Sequence, residues 1–375
     1  MTVGTGRNVA DGLLFSIDKQ NPSLVVFLHT DSSLSTVEKL SKELSRLDVS
    51  MDSFELSDEN DVQHCFEVGC NIIKRLLKEF SIDDIGADYT SGTKAMSAGL
   101  VLAAASFGIK QISYVHGERD SSVGRVISGT EQLRVLKPSV VLEVNLIRQF
   151  ANLFNNYQFQ SALNLVSKYS FTPKYEKTFT FFKCLAEAFD AWDKFDFSKA
   201  LDVLKSCDKK FLKGKMWNGI VEKSKQWLYR LKQLKENDVC ENDDFIDLVV
   251  ELVENAKRRK EQGVYDDAVA RCYRALELIF QIEYGKVFGK RTEVGLVETI
   301  EEIGERDPGN NKVNVFLSRK DKAFGLLYVR NHSILAHGID TVKERSLTDF
   351  LTLIETFLPE YQYSYFKKID VIDFI

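Results

Sequence analysis

The sequence lacks the cysteine patterns that build zinc sites and disulfide-rich scaffolds. Its six cysteines include no C-x-x-C pair and no short cysteine and histidine cluster of the kind that binds zinc. They are Cys65, Cys70, Cys184, Cys207, Cys240 and Cys272. We therefore expect reduced thiols, in the core or on the surface, and neither a metal site nor a disulfide framework.

Two further absences narrow the possible functions. The formal net charge is -5, so no overall positive field attracts nucleic acid, and RNA or DNA would have to bind at a confined site. No apolar run approaches the length of a membrane span, and the N-terminus lacks a basic segment followed by an apolar stretch. The remaining composition, 44% hydrophobic and 28% charged, is typical of a globular protein, which we expect to be cytoplasmic.

The first third of the chain alternates between strand and helix patterns. Apolar runs such as residues 24–29 (LVVFLH) and 111–116 (QISYVH) alternate with segments of helical periodicity such as residues 35–47. Repeated βα units predict a Rossmann-like doubly wound parallel sheet, which binds ligands at the carboxyl ends of its strands. We assign it to residues 1–139, and we expect residues 124–137 to add a β-hairpin.

Residues 88–96 (DYTSGTKAM) lie between a predicted strand and a predicted helix. The turn that joins them lies at the helix N-terminus, where free backbone N–H groups and the helix dipole favour an anion. Its residues are Thr90, Ser91, Gly92, Thr93 and Lys94. The pattern predicts a phosphate-binding turn, because glycine allows close approach, hydroxyls donate hydrogen bonds and lysine adds positive charge. The alternative, in which Thr93 only caps the helix and Gly92 only makes the turn, stays open.

Residues 1–6 (MTVGTG) resemble the end of a strand followed by a glycine turn. Only three residues are left for that strand, so either it is short or the natural chain begins upstream of Met1. This turn and the turn at residues 90–94 both follow strands, so both should lie on the rim formed by the carboxyl ends of the strands. Arg119 and Arg125 should follow a strand on the same rim, either as further ligand contacts or as surface charges.

The rest of the chain is predicted to be helical. Residues 140–238 contain few glycines and prolines and pair aromatic residues ahead of small ones, so we interpret them as a helical connector whose aromatic residues pack its core. Residues 239–375 form a second helical domain. Within it, residues 323–338 (AFGLLYVRNHSILAHG) are predicted to be one helix that Gly338 ends.

Arg330 and His337 form a second candidate site. Seven residues at about 100° each fall about 20° short of two turns, so on one helix the two would share a face roughly 10 Å apart. Histidine can move a proton, and arginine can hold the charge that develops on a phosphoryl oxygen, which suits RNA cleavage by the substrate's own 2′-hydroxyl without a metal. An arginine and a histidine at this spacing also arise by chance, and that alternative stays open at this point.

The two halves of the sequence together resemble a known family. Residues 3–6 (VGTG) and 88–96 resemble the CARF domain of CRISPR-associated proteins. Residues 330–338 (RNHSILAHG), preceded by residues 265–277 (YDDAVARCYRALE), resemble an HEPN ribonuclease domain. The likeness spans essentially the whole chain, and the order of the domains is that of the CARF-HEPN family.

The resemblance implies an accessory ribonuclease of type III CRISPR antiviral defence that a cyclic oligoadenylate activates. In this family CARF domains pair to bind the cyclic ligand and HEPN domains pair to form one active site, which implies a homodimer that cleaves single-stranded RNA with no metal and no other cofactor. The implied ligand-binding residues are Thr5, Gly6, Thr90, Ser91, Gly92, Thr93, Lys94 and Met96. The implied catalytic residues are Arg330 and His337, with Asn331 in support.

Two other functions stay open. In the first, the chain is a non-catalytic sensor whose N-terminal domain binds a nucleotide, while the helical part mediates assembly or binds RNA. In the second, the N-terminal domain slowly cleaves its own cyclic ligand. Residue types alone do not decide between them, nor do they give the ring size of the activator or the base preference of cleavage.

Overall fold

The computed structural model describes residues 1–6, 8–118, 127, 129–136, 139–169, 171–212, 216–236, 242–358 and 366–374. The chain divides into two compact units, Met1–Asn145 and Leu146–Ile375. The first combines helices with a sheet, and the second is helical. The predicted fold class, a Rossmann-like sheet followed by an all-helical remainder, is confirmed.

The first unit alternates strands and helices as predicted. Its strands are β1 (Leu24–His29), β2 (Ser50–Glu55), β3 (Gly86–Asp88), β4 (Gln111–His116) and β5 (Gln132–Leu136). Its helices are α1 (Val9–Gln20), α2 (Leu34–Arg46), α3 (Val62–Leu76) and α4 (Lys94–Ser106). Strands β1 and β2 pair in parallel, as do β3 and β4.

The N-terminal residues connect the two strand pairs. Val3 N donates to Leu28 O of β1 at 2.8 Å, and Thr2 N donates to Asp88 O of β3 at 3.2 Å. The predicted first strand is therefore present as a short segment between β1 and β3. The turn that follows it leaves the sheet at the same rim as the turn that follows β3.

Helices cover both faces of this sheet. Side chains of successive strand residues point to opposite faces. Phe27 of β1 packs with Leu13 of α1 and Leu40 of α2, whereas the next residue, Leu28, packs with Ile72 of α3. Burial on both faces explains why β1 is apolar along its whole length, as in other parallel sheets with two helical layers.

The segment after β4 was predicted to form a hairpin, and its last part does pair with the sheet. Strand β5 is antiparallel to β4, with a register that runs from Ile112 opposite Leu136 to His116 opposite Gln132. Residues 119–126 lie outside the described residues, so the predicted candidates Arg119 and Arg125 do as well.

The second unit is a series of helices. They are α5 (Ser139–Asn155, which begins in the first unit), α6 (Phe159–Ser167), α7 (Glu176–Asp193), α8 (Phe197–Ser206), α9 (Lys209–Leu212), α10 (Met216–Lys235), α11 (Ile246–Glu261), α12 (Tyr265–Phe288), α13 (Leu296–Arg306), α14 (Asn311–Ser318), α15 (Lys320–Asn331) and α16 (Glu344–Glu355). Helix α12 packs against α11, α13, α15 and α16, so it is the central helix of the C-terminal group.

Aromatic side chains form the core of the connector helices. The rings of Phe150 and Phe182 stack with centroids 4.2 Å apart, Phe154 and Phe189 lie 5.1 Å apart, and Phe189 and Trp192 lie 5.5 Å apart. Aromatic pairs at such distances add about 0.5–1.5 kcal/mol each beyond their buried area. The predicted packing role of these residues is confirmed.

The prediction of six reduced cysteines is wrong for one pair. Cys184 of α7 and Cys207, which follows α8, form a disulfide with their Cα atoms 6.2 Å apart. The α7–α8 hairpin brings together residues that are 23 apart in sequence, and this contact leaves no mark in the spacing of cysteines. The described cysteines outside this disulfide are Cys65, Cys70 and Cys272.

A buried polar network joins the connector to the C-terminal helices. Arg258 of α11 is 4% exposed and donates to Asp193 of α7 and to Glu251 of α11, each at 2.9 Å. Its guanidinium carbon also lies 3.8 Å from the ring centroid of Phe366. One arginine thus bridges both carboxylates inside the helical unit.

None of the helices described here is both long and apolar enough to cross a membrane.

Candidate functional site

Two glycine turns meet on the rim of the first unit. Gly4 N donates to Ser91 Oγ at 3.1 Å, and the hydroxyl of Thr2 donates to the backbone oxygen of Ser91. A Cβ atom on Gly4 would lie 2.9 Å from the backbone nitrogen of Gly92. The turn at residues 1–6 and the turn at residues 90–94 therefore form one continuous surface, as their positions after parallel strands predict.

The hydroxyls of the second turn hold the turn itself. Thr93 Oγ1 accepts from Met96 N at 3.1 Å and donates to Glu59 O at 2.6 Å, so Thr93 is the N-cap of α4. Thr90 Oγ1 accepts from Val115 N at 2.9 Å. The capping role of Thr93 is thus real. An anion at this turn would be bound mainly by backbone N–H groups of the first turn of α4 and by Lys94.

The buried carboxylate of Asp88 fixes the start of the same turn. It is 3% exposed and accepts from Thr90 N at 2.8 Å, from Ser16 Oγ at 2.6 Å and from Ser113 Oγ at 3.0 Å. Three donors around one carboxylate compensate its burial. These bonds fix the start of the turn within the protein itself.

The predicted ligand-binding residues differ in exposure, and three of them, Thr90, Ser91 and Thr93, are half-buried. Thr5, Gly6, Gly92 and Lys94 are exposed on the rim. Met96 is 1% exposed, and its Sδ would lie 3.2 Å from a Cβ atom on Gly92. Met96 therefore lies beneath the turn and supports it from below, whereas the exposed residues lie on its surface. Gly92 has a φ of 94°, which favours glycine.

A cavity of about 480 Å³ lies between β1 and β3. Its lining includes Leu24 and Gly86 at the amino ends of these strands, Leu28 and Asp88 near their carboxyl ends, and Ile72 and Leu76 of α3. Residues 90–94 do not line this cavity, so it is distinct from the predicted phosphate-binding turn.

The predicted helix through His337 is wrong in its second half. Helix α15 ends at Asn331, and the chain then folds into a tight loop in which Ile334 N donates to Asp340 O and Asp340 N donates to His332 O, both at 3.1 Å. Ser333 is 3% exposed, and its hydroxyl donates to Arg330 O at 2.8 Å. This local bond occupies a carbonyl at the end of the helix, where serine competes with helical bonding.

Gly338 has a different role from the one predicted. It does not end a helix but lies against the backbone of His332, where any Cβ atom would collide with the His332 carbonyl. Only glycine permits so close a backbone approach. Gly338 therefore lets the loop return to the end of α15.

The loop brings the three predicted catalytic residues together. Arg330 Nη1 donates to Asn331 Oδ1 at 2.9 Å, and His337 N donates to Asn331 O at 3.2 Å. Asn331 and His337 are exposed, and Arg330 is half-buried. His332 points away from this cluster and stacks on Tyr328 with centroids 3.8 Å apart. A half-buried arginine and an exposed histidine whose backbones meet at Asn331 could both contact a phosphodiester.

Two residues of α12 that sequence reasoning did not single out support this cluster. The guanidinium carbon of Arg330 lies 4.0 Å from the ring centroid of Tyr273. The carboxylate of Asp266 accepts from Val342 N at 3.2 Å and thereby anchors the chain after the loop. Both belong to residues 265–277 (YDDAVARCYRALE), and the resemblance of this segment to an HEPN domain was the only indication of them in the sequence.

Among the described residues, no group of three or more His, Cys, Asp or Glu could hold a metal ion.

The chain is similar to known proteins along most of its length. Residues 142–238 match the family model of the Csm6 6H domain, and residues 237–306 match that of the Csm6 HEPN domain. The CRISPR system endoribonuclease Csm6 of Thermus thermophilus is 27% identical over 387 residues, which cover 90% of this chain and 80% of that protein. The solved structure of Enterococcus italicus Csm6 bound to cyclic hexa-2'-fluoro-hexa-dAMP has a TM-score of 0.61 at 14% identity, and the match covers 95% of this chain and 92% of that one.

Proposed function

We propose that this chain, which belongs to the CARF-HEPN family of CRISPR-associated proteins, is an endoribonuclease that a cyclic oligoadenylate activates. The 27% identical relative is named an endoribonuclease, and one family model that matches is an HEPN domain. The proposed organisation is a ligand-binding domain at residues 1–139, a connector at 140–238 and a ribonuclease domain at 239–375. Its place of action is the cytoplasm, in defence against invading transcripts.

The observation that carries the proposal is the cluster at the end of α15. Arg330 Nη1 donates to the side chain of Asn331 at 2.9 Å, and the backbone N–H of His337 donates to the backbone oxygen of Asn331 at 3.2 Å. The loop after the helix therefore returns residue 337 to the helix end that carries Arg330, although the helix itself stops at Asn331. The cluster lies beyond residues 237–306, so it supports the ribonuclease assignment independently of the HEPN match.

The proposed chemistry uses the 2′-hydroxyl of the RNA as nucleophile. It attacks the adjacent phosphorus, the bond to the 5′-oxygen breaks, and the products are a 2′,3′-cyclic phosphate and a 5′-hydroxyl. His337 moves the proton between nucleophile and leaving group, and Arg330 stabilises the charge on the phosphoryl oxygens. Arginine suits this role because its planar fork matches two phosphate oxygens. The reaction needs no metal ion.

The proposed active form is a homodimer in which two such clusters share one site. Apolar side chains next to Arg330 and His337 face solvent in the single chain: Tyr328 is 63% exposed, Ile334 59%, Leu335 58% and Ile339 88%. Such a group of exposed apolar side chains marks an interaction surface. A second copy would cover them and bring two exposed histidines to one RNA strand.

The proposed activator binds at the rim of the first unit. The exposed residues Thr5, Gly6, Gly92 and Lys94 lie beside the N-terminus of α4, a position that favours phosphate. The similar Enterococcus italicus protein was solved with a bound cyclic hexanucleotide analogue, which is consistent with a cyclic ligand here. Activation requires that the ligand bind the active arrangement more tightly than the resting one.

One assay tests these proposals. Purified protein is incubated with a fluorescent single-stranded RNA in EDTA, with and without cyclic tri-, tetra- and hexa-adenylate. We expect cleavage with one ring only, and fragments that end in a 2′,3′-cyclic phosphate. The same RNA with 2′-deoxy sugars should stay intact, because the nucleophile is missing. If folded, dimeric protein cleaves no RNA with any of the three cyclic oligoadenylates, a non-catalytic sensor is favoured instead.

A further inference from the structure

We infer that Tyr273 is a positioning residue for Arg330: its ring holds the guanidinium flat, so that the free N–H edge faces the phosphodiester. The inference rests on the proposed ribonuclease function and names a residue that assists it. Tyr273 lies on α12 and Arg330 at the end of α15, so two packed helices of the same unit bring ring and guanidinium to 4.0 Å.

The ring of Tyr273 is itself fixed. Its hydroxyl is hydrogen-bonded to Glu277, one turn further along α12, and Glu277 also accepts from Arg274 at 3.3 Å. Burial, and then the bond to Glu277, raise the pKa of the Tyr273 phenol, so the hydroxyl stays protonated and remains a donor to Glu277. The hydroxyl is thereby occupied, which leaves the face of the ring as the part that acts on Arg330.

Two contacts then define the orientation of the guanidinium. Its carbon lies over the ring of Tyr273, 4.0 Å from the centroid, and its Nη1 donates to Asn331 Oδ1 at 2.9 Å. An arginine side chain has several rotatable bonds and loses much freedom when it is fixed, so an arginine held in advance stabilises a transition state better than a free one. Tyr273 reduces that freedom before RNA binds and does not itself touch the substrate.

The electrostatic part of this contact can be changed without changing its shape. Fluorine atoms on a benzene ring withdraw the negative charge of its face, which is the charge that attracts the guanidinium. Phenylalanine and its mono-, di- and trifluorinated analogues are placed at position 273 by suppression of a stop codon in the full chain. RNA cleavage is measured in the presence of the cyclic oligoadenylate that activates the unmodified protein.

We expect Tyr273→Phe to retain most of the activity, because the ring is kept. The value of kcat should fall stepwise with each added fluorine, and Tyr273→Leu should lower it by about 5- to 30-fold, the effect of losing a partly buried cation–π contact. KM should change less than twofold, since the ring does not bind RNA. Loss of packing alone would not follow the order of fluorination.

Tyr284→Leu is the matched control. Tyr284 lies on the same helix, its hydroxyl is bonded to Glu302, and its ring stacks on Phe288 with centroids 4.3 Å apart. It is 5% exposed and thus more buried than Tyr273, so its replacement by leucine is a demanding control for loss of packing without an arginine contact. Its replacement should leave kcat unchanged. A second measurement needs no activity: the Arg330 Nε–H signal in an arginine-labelled NMR spectrum, identified with Arg330→Lys, should shift in Tyr273→Leu and not in Tyr284→Leu.

The outcomes separate this inference from the ribonuclease proposal. If the unmodified chain cleaves RNA but kcat does not change along the fluorinated series, the ribonuclease proposal is retained and the role of Tyr273 is overturned. An Arg330 signal that Tyr273→Leu leaves in place would also overturn it, because the contact would not exist in solution. If the unmodified chain cleaves nothing with any ring, the ribonuclease proposal fails first, and a positioning role in cleavage fails with it.

Discussion

The backbones of Gly4 and Gly92 are in contact, although 87 residues separate them in the chain. A Cβ atom on Gly4 would lie 2.9 Å from the nitrogen of Gly92, and one on Gly92 would lie 3.1 Å from the Cβ of Thr2. Neither position has room for a side chain unless its neighbours move. The two turns can thus form a single rim surface only as long as both residues are glycine.

Gly92→Ala should damage ligand binding more than stability. The residue has a φ of 94° and crowds Thr2 and Met96, so a methyl group displaces both turns. We expect the affinity for the cyclic ligand, measured by calorimetry, to fall more than tenfold, and the free energy of unfolding to fall by about 1–2 kcal/mol.

Gly108→Ala is the control for this change. Gly108 also has a positive φ, of 75°, but a Cβ atom there would meet nothing within 4 Å. Through backbone strain, the Gly108→Ala variant should lose about as much free energy of unfolding as Gly92→Ala, while its affinity for the cyclic ligand stays unchanged. Equal losses of affinity in both variants would show that strain, and not the contact between the turns, matters.

Lys94→Ala should weaken ligand binding through charge alone. Lys94 is exposed at the N-terminus of α4, so its loss should cost little stability. An exposed charge pair contributes about 0.5–1 kcal/mol, which corresponds to a two- to fivefold weaker affinity, and the difference should shrink as salt is added. Lys78→Ala, an exposed lysine beyond the far end of α3, should change nothing. An affinity loss in Lys94→Ala that does not depend on salt would contradict a phosphate contact.

The contact of the turns was predictable because parallel strands present their carboxyl ends on one rim. The same rule predicted the strands β1 and β4 and the helices between them, since their apolar spacing reports which side chains the sheet buries. Met96 shows the limit of such reasoning: its place in a motif does not tell whether the side chain faces the ligand or lies below the turn.

His337→Ala should abolish RNA cleavage and leave the ligand affinity intact. Removal of a general acid or base lowers the rate by about 10²–10⁴-fold. His337 is exposed, so the melting temperature should not change. The control is His64→Ala, which removes a half-buried histidine of the first unit whose Nε2 lies 3.1 Å from Ser57 Oγ, and this variant should cleave normally. Full activity of His337→Ala would disprove the assignment of the active site.

The loop that carries His337 could not be derived from helical periodicity. Continuation of α15 competes with a local bond from Ser333 to Arg330 O and with backbone bonds to Asp340, and the sequence between Arg330 and Gly338 satisfies both patterns. Tertiary contacts decide, among them the bond from Val342 N to Asp266. The contact of Tyr273 with Arg330 and the disulfide of Cys184 with Cys207 likewise arise from helix packing. Helix packing produces no regular spacing of these residues in the sequence, so neither contact could be predicted from it.

Glu283 should make the stability of the helical unit depend on pH. Burial raises the pKa of Glu283, but hydrogen bonds from Lys312 and Lys286, at 2.8 Å and 3.0 Å, outweigh it and hold the pKa below its ordinary value of 4.5. A pKa that is lower in the folded than in the unfolded state contributes stability above about pH 4.5, and this contribution is lost as the pH falls further.

Chemical unfolding of the chain and of Glu283→Gln, at several pH values, measures this contribution. The unmodified chain should be more stable by about 1.5–3 kcal/mol at pH 7, and the difference should shrink below pH 4.5. Asp202→Asn serves for comparison, because the side chains of Asp202 and its partner Lys205, 3.7 Å apart, are 71% and 59% exposed, so its effect should stay within about 0.5 kcal/mol at every pH. A difference for Glu283→Gln that is constant from pH 7 to pH 3 would rule out the ionic contribution.

Arg258→Met should destabilise the helical unit strongly, because it leaves the buried carboxylates of Asp193 and Glu251 without their shared partner. Breaking a buried ion pair in this way costs about 3–5 kcal/mol. Lys205→Met, which removes an exposed pair with Asp202, should cost at most about 0.5 kcal/mol in the same denaturant titration. Neutralising Glu251 in the Arg258→Met background, by Glu251→Gln, should restore part of the loss, because Glu251 is then no longer a buried carboxylate without its arginine, whereas Asp193 still pairs with Arg259. If it restores nothing, the arginine stabilises the junction through its packing on Phe366 and not through charge.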